Sequence, residues 1–243
     1  MAKVDWESHF ESGNLLTADD PAGEWATWSD DGSSIDYEID PSYDLVGETN
    51  GLRIYVPTDA WTTLALTSPN IVNYNTDDTV HISLYFRLPS EWEDPVGENY
   101  YLIRVGPSNF STFWGIAINP DMVLLGTGHA PSWRTITGTT TLQKETTYYV
   151  ELVVERTDTA DILLYLNGEL EASRYGDTDI NDGIAWTHIR LASRFDPART
   201  GGSGIYYDAI RLGNDGMIGE YFVSSEVYQT MPRRVSPLLG IDF

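Results

Sequence analysis

Residues 146–174, TTYYVELVVERTDTADILLYLNGELEASR, restrict what this chain can fold into more than any other part of it. Val150, Leu152 and Val154 alternate with Glu151, Val153 and Glu155, which is the two-residue period of a strand with one buried face. The polar run Arg156–Asp161 interrupts the pattern, and Ile162–Leu166 resumes it as a second strand. Asn167-Gly168 then supplies the residues that a type I′ hairpin turn requires, because both of its central positions need positive φ. Glu169–Arg174 returns as a third strand. Three antiparallel strands in one meander carry an apolar face that only a second layer can cover.

The same pattern recurs along the chain. Residues 4–16 read as an entry strand, and Ile35, Tyr37 and Ile39 alternate with acids until Pro41 closes the segment. Residues 51–56 and 62–66 are further short strands. Val80, Ile82, Leu84 and Phe86 share one face of 79–88. Tyr100–Val105 and Phe113–Asn119 form an expected hairpin, followed by a short apolar piece at 122–125. GTGHAPSW, residues 126–133, reads as a loop before a Thr-rich strand over 134–141. Strands at 186–192 and 205–212 flank the glycine-rich loop 193–204. No amphipathic helix of useful length and no internal repeat interrupts the series. Short strands at this spacing predict an all-β antiparallel sandwich, a jelly roll over residues 1–213.

Composition narrows the chemistry. The chain has no cysteine, which removes disulfides, thiolate nucleophiles and cysteine-ligated metals. A formal net charge of −23 excludes binding to nucleic acid through a general basic surface. No apolar stretch reaches the ~20 residues of a membrane span, so insertion is not expected. Met1–Trp6 lacks the apolar core of a secretory signal, and the expectation is synthesis and retention in the cytoplasm. The four histidines, His9, His81, His129 and His188, show no ligand-like spacing, and there is no nucleophile elbow or phosphate-binding glycine loop.

LLYLNGELEAS, the later pieces IRLAS (189–193) and GIYYDAIRL (204–212), and the opening WESHFESG (6–13) together resemble the concanavalin-A-like lectin/glucanase and laminin-G-like jelly rolls. The resemblance covers most of residues 4–215. It implies a lectin-like sandwich and specifies a fold better than an activity. Glucanases of this fold carry a Glu-x-Asp-x-x-Glu strand that places two carboxylates about 5 Å apart, and that pattern is absent here. Carbohydrate-binding modules of this appearance often share a structural calcium between an entry-strand Glu and a last-strand Asp. Carried over, the ligands are Glu11, with Glu7 as its alternative, and Asp208. The family's second acid after that Asp is replaced by Ala209.

Trp114 and Trp186 fall in strands and are expected in the core. Trp92 and Trp133 fall in loops; with His129, Arg134, Arg194, Asp196 and Arg199 they make up the candidate glycan-recognition surface. Residues 214–243 lack periodicity and contain Pro232 and Pro237. Their apolar tip, Leu238, Leu239, Ile241 and Phe243, beside Arg233 and Arg234, reads as an arm that docks on another subunit. The leading expectation is a non-catalytic structural or adhesion protein of a virion surface, such as a bacteriophage head-decoration or tail component. Such proteins are made without a secretory signal. The partners would be self or other virion subunits, with cell-surface glycan as a further ligand. A stand-alone extracellular carbohydrate-binding module, and a polysaccharide lyase or glycosidase, are the contrasting readings.

Overall fold

The computed structural model of the chain describes residues 3–11, 25–29, 36–48, 50–56, 62–66, 74–75, 78–94, 99–129, 133–157, 159–177, 183–194 and 203–219. Its strands are β1 (Lys3–Ser8), β2 (Trp25–Ser29), β3 (Asp36–Asp40), β4 (Gly51–Val56), β5 (Thr62–Leu66), β6 (Thr79–Arg87), β7 (Tyr100–Gly106) and β8 (Phe113–Ile118). They continue as β9 (Val123–His129), β10 (Trp133–Thr141), β11 (Thr147–Glu155), β12 (Ala160–Leu166), β13 (Glu169–Asp177), β14 (His188–Arg194) and β15 (Ser203–Asp215). No α-helix occurs among the described residues.

The expected meander is β11-β12-β13. Asn167 and Gly168 have φ of 50° and 80°, and Leu166 lies opposite Glu169, the geometry of a two-residue I′ turn. Asn167 also accepts the Tyr149 amide through Oδ1 at 2.9 Å, which fixes the turn against the start of β11. β11 pairs with β6 over nine residues in continuous register, and the eight-stranded sheet runs β13-β12-β11-β6-β15-β4-β3, with β1 as its eighth strand, paired with β15 off this path. β15 is long enough to pair with β4 through Ser203–Tyr207 and with β1 through Ile210–Asp215. The second sheet runs β10-β9-β8-β7-β14-β5-β2. All of these pairings are antiparallel, and the two sheets form a jelly-roll β-sandwich.

Alternation decides what lies between the sheets. Val80, Ile82, Leu84 and Phe86 of β6 and Val150, Leu152 and Val154 of β11 are fully buried. From the other sheet Leu102, Val105, Trp114, Ile116, Ile118, Leu124, Ile189 and Leu191 meet them in one cluster. Trp114 and Trp186 are core residues, as their strand contexts predict.

Four boundaries differ from the sequence reading. Residues 126–129 continue β9 and Trp133 opens β10, so most of GTGHAPSW is hairpin strand. Glycines masked that alternation, yet Gly126 and Gly128 sit where a Cβ would meet Leu152 and Ile136, or the Trp114 ring. Trp186 forms an isolated bridge with Tyr74, and β14 starts two residues later. β15 runs from Ser203 to Asp215, longer at both ends than the strand expected over 205–212. Arg156, read as the start of a polar break, is fully buried.

That arginine ties three segments together. Its Nη1 donates to the carbonyls of Tyr74 (2.6 Å) and Asn75 (2.9 Å), and Nη2 donates to Ile184. Its guanidinium lies 4.1 Å from the Trp186 ring centroid. The planar fork suits several carbonyls at once, whereas an ammonium does not. Arg156→Ala removes these charge-assisted hydrogen bonds and leaves a cavity beside Trp186, and is expected to cost about 3 kcal/mol of unfolding free energy. Arg156→Lys should recover only part of that, with urea denaturation as the measurement.

Candidate functional site

The outer face of the seven-stranded sheet carries the most developed surface for recognition. Register places side chains in rows across its strands, because directly opposed residues of an antiparallel sheet share a face. One row runs Trp133–His129–Phe113 across β10, β9 and β8. The next runs Thr135–Thr127–Gly115–Arg104–Arg190 from β10 to β14. A third runs Thr137–Leu125–Ala117–Tyr101.

These rows hold a small apolar cluster of their own, Tyr101, Phe110, Phe113, Ala117 and Leu125, separated from the main core by the sheet. Phe113 meets Tyr101 edge-on at 5.6 Å and Trp133 edge-on at 5.6 Å. Trp133 also lies 5.3 Å from the His129 ring. His129 Nδ1 is 3.3 Å from the Ser111 carbonyl; a carbonyl only accepts, so this contact requires the proton on Nδ1. The result is an indole braced on two sides and still 57% exposed. A rigid, open ring with hydroxyls of Thr135 and Thr137 alongside is the chemistry that stacks on a sugar face. Thr127 and Thr135 pair through their hydroxyls at 2.9 Å.

Arg104 lies behind this edge and is 6% exposed. Its guanidinium is 5.0–5.6 Å from the Phe113, Tyr101 and Phe110 rings. The arginine fits because Gly115 stands opposite; a Cβ there would come within 3.0 Å of Arg104 and 2.1 Å of the Ile103 carbonyl. Arg190, half-buried, stacks 4.1 Å from the Phe110 ring. Beside it, burial and then the Arg190 charge hold the His188 imidazole below its ordinary pKa.

Of the candidate glycan-binding residues, His129 and Trp133 come together. Arg134 follows in the chain but is registered with Gly128, so it belongs to the opposite face of the sheet; its Nη1 donates to the Trp133 carbonyl. Trp92 is a correction. It is 1% exposed, packs edge-on against Tyr100 at 5.1 Å and is part of the main core, because the segment after β6 turns inward at Pro89–Trp92. Arg194 ends β14 opposite Tyr100, while Asp196 and Arg199 lie outside the described residues. The arm residues Arg233, Arg234, Leu238, Leu239, Ile241 and Phe243 also lie outside them.

The proposed calcium ligands sit around the β1–β15 edge. Glu7 is committed to His9, 3.2 Å away, and the hydrogen bond from His9 lowers its pKa. His9 reaches Glu48 at 2.9 Å on its other side. Glu11 accepts the Asn50 amide. Asp208 is fully buried, and its two oxygens accept the amides of Leu45 (2.9 Å) and Ala209 (2.7 Å). Burial pushes its carboxyl up to about 8, and the Asp44 carboxylate adds to the rise. Hard oxygens with uncompensated charge suit calcium, but among the described residues no three acidic or imidazole side chains are grouped closely enough to hold an ion.

A second polar cluster lies on the outer face of the eight-stranded sheet. Glu151, fully buried, accepts from Tyr149 Oη (2.6 Å) and from the Ile218 and Gly219 amides, and pairs with His81 at 3.0 Å. Burial pushes the Glu151 carboxyl up, and these hydrogen bonds outweigh it, leaving the group below its ordinary value. Farther along, Arg53 and Arg87 stack on Tyr206, and Tyr43 and Tyr55 both donate to Glu38.

No protein-family model and no curated protein sequence matches the chain. Solved structures do. The botulinum neurotoxin serotype C1 binding domain superposes with a TM-score of 0.65 at 13% identity, over 89% of this chain and 49% of that one. The cellulose-induced protein Cip1 gives 0.62 at 14% identity, over 88% and 99%. An endo-β-1,4-glucuronan lyase from the fungus Trichoderma reesei gives 0.61 at 11% identity, over 87% and 96%. The chain thus spans about half the length of the toxin binding domains and nearly all of the other two. At these identities the likeness is one of fold, and the fold is the antiparallel β-sandwich.

Proposed function

We propose that this chain is a non-catalytic adhesion module that binds glycan on the outer face of its seven-stranded sheet. The observation that carries the reading is the exposed Trp133 indole, braced by Phe113 and His129 at the end of a regular cross-strand row. A preorganised ring loses little freedom on stacking, which is how a small contact yields useful affinity. The three rows contain no carboxylate pair, so they provide contact and hydrogen bonds rather than the acid and nucleophile of a glycosidase.

Display on a virion surface is the more specific form of the proposal. It is supported by the proline-broken arm with its apolar tip in the sequence. In that form the arm docks on self or other virion subunits and leaves the Trp133 face to meet cell-surface glycan. Light scattering of the full chain should give a defined oligomer, and replacing Leu238, Leu239, Ile241 and Phe243 by Asp should reduce it to monomer.

Asp208 contributes to stability through its proton. Burial pushes its folded carboxyl up to about 8, above its ordinary 3.8. Between those values the folded chain keeps a proton that the unfolded chain releases, so this group's contribution to stability falls as pH rises through that window. The melting temperature of the parent is therefore expected to fall more steeply from about pH 5 to about pH 8 than that of Asp208→Asn, measured by thermal denaturation. Identical pH profiles for the two proteins would overturn this role of Asp208.

Trp133→Ala tests the main reading. Its indole lies mostly in solvent, so the melting temperature should stay within a few degrees of the parent. Binding in affinity electrophoresis against immobilised polysaccharides should weaken by about tenfold or more, the worth of one stacking contact. Undiminished binding would move the site elsewhere.

A further inference from the structure

Five strands of the eight-stranded sheet place Glu38, Arg53, Tyr206, Arg87 and Thr147 in one row across its outer face. The chain neighbours of the three middle members, such as Ile54, Tyr207 and Phe86, are buried in the core, so alternation sends Arg53, Tyr206 and Arg87 outward. Tyr206 is the centre of a stack. The Tyr43 ring lies 5.1 Å from it at an interplanar angle of 18°, and the Arg87 guanidinium lies 4.7 Å from its centroid. The Arg53 guanidinium lies 4.2 Å from the Tyr55 ring and 5.4 Å from that of Tyr206. It fits there because residue 204 is a glycine; a Cβ at that position would meet Arg53 Nε at 2.5 Å.

The two arginines are engaged differently. Arg53 Nη2 donates to Glu91 at 2.5 Å, while Tyr43 and Tyr55 give their hydroxyl protons to Glu38. Half-buried Arg87 makes no ion pair or hydrogen bond among the described residues; its Nε is enclosed without an acceptor, and the Tyr206 ring holds its plane. The Tyr206 hydroxyl also has no hydrogen-bond partner among them. Burial raises the pKa of the Tyr206 phenol, Arg53 and Arg87 oppose the rise, and the Glu91 and Glu145 carboxylates add to it. The acids therefore balance the arginines around this ring, and what Arg87 offers a ligand is directed donors rather than surplus charge. Its N–H groups form a fixed planar fork that matches two neighbouring oxygens. We propose that this row is a second saccharide site, in which the Arg87 fork donates to two adjacent hydroxyls of a neutral sugar and the Tyr206 hydroxyl is a further partner beside it. A net charge of −23 disfavours a polyanion here. The two sheets pack back to back about 10 Å apart, so this row and Trp133 face opposite ways and one chain holds two glycan strands.

This site goes beyond the Trp133 reading and does not depend on it, and one experiment distinguishes the two. Full-length protein is titrated calorimetrically with cellohexaose, laminarihexaose and maltohexaose. Trp133→Ala, Arg87→Gln, Arg87→Lys and Tyr206→Phe are titrated alongside, each checked for a parental melting temperature. The expected stoichiometry with at least one hexaose is two per chain, falling to one in Trp133→Ala and to one in Arg87→Gln. Arg87→Lys should keep the second site with about tenfold weaker binding, and Tyr206→Phe, which removes only the hydroxyl, should weaken it severalfold. One site per chain that Trp133→Ala abolishes and folded Arg87 variants leave unchanged overturns the second site and keeps the first. One site that Arg87→Gln abolishes and Trp133→Ala leaves unchanged keeps this inference and overturns the Trp133 reading. Binding of no hexaose by the parent overturns both.

Discussion

Two apolar faces that must meet each other govern this molecule. β6 and β11 present seven fully buried aliphatic and aromatic side chains from one sheet, and each depends on the opposing layer of Trp114, Ile116 and Leu124 to leave water. Each fully buried side chain of this size contributes about 1.5–3 kcal/mol, and the alternation that creates the face also forbids slippage, since a one-residue shift exposes all of them. With the inner faces committed to stability, the outer faces carry the polar and aromatic residues that alternation sends outward. The rows around Trp133 and the Glu151 cluster both follow from that division.

The outer faces differ in how they treat charge. On the seven-stranded sheet, Arg104 and Arg190 are set among rings, which orient their guanidiniums by cation–π contact. On the eight-stranded sheet, Glu151 is surrounded by donors from four residues, a closed network of the kind that rigidifies its surroundings when satisfied.

The meander and its turn were legible because period-two alternation and Asn-Gly are local signals with a direct geometric meaning. So were the core positions of β6 and the burial of Trp114 and Trp186. Trp92 was misread because its neighbours Glu91, Glu93 and Asp94 are polar, and only the chain's inward turn after β6 shows the indole packed on Tyr100. Arg104 and Arg190 were overlooked for a related reason. Each interrupts an apolar run, Tyr100–Val105 and Ile189–Leu191, and that interruption was the available clue to an outer face. Their being neighbours depends on a pairing between strands more than 80 positions apart, which no window of sequence reports. The first half of the 126–133 segment was obscured by Gly126 and Gly128, which leave no side chain to alternate.

The amides of Ile218 and Gly219 bind Glu151 on the outer side of the eight-stranded sheet, whereas Trp133 looks out from the other sheet. Gly219, the last described residue, therefore lies on the side opposite the indole. If copies of the domain were held from the Glu151 side, their Trp133 faces would all look outward together, and weak single contacts at those faces would then reinforce one another through the geometry of attachment.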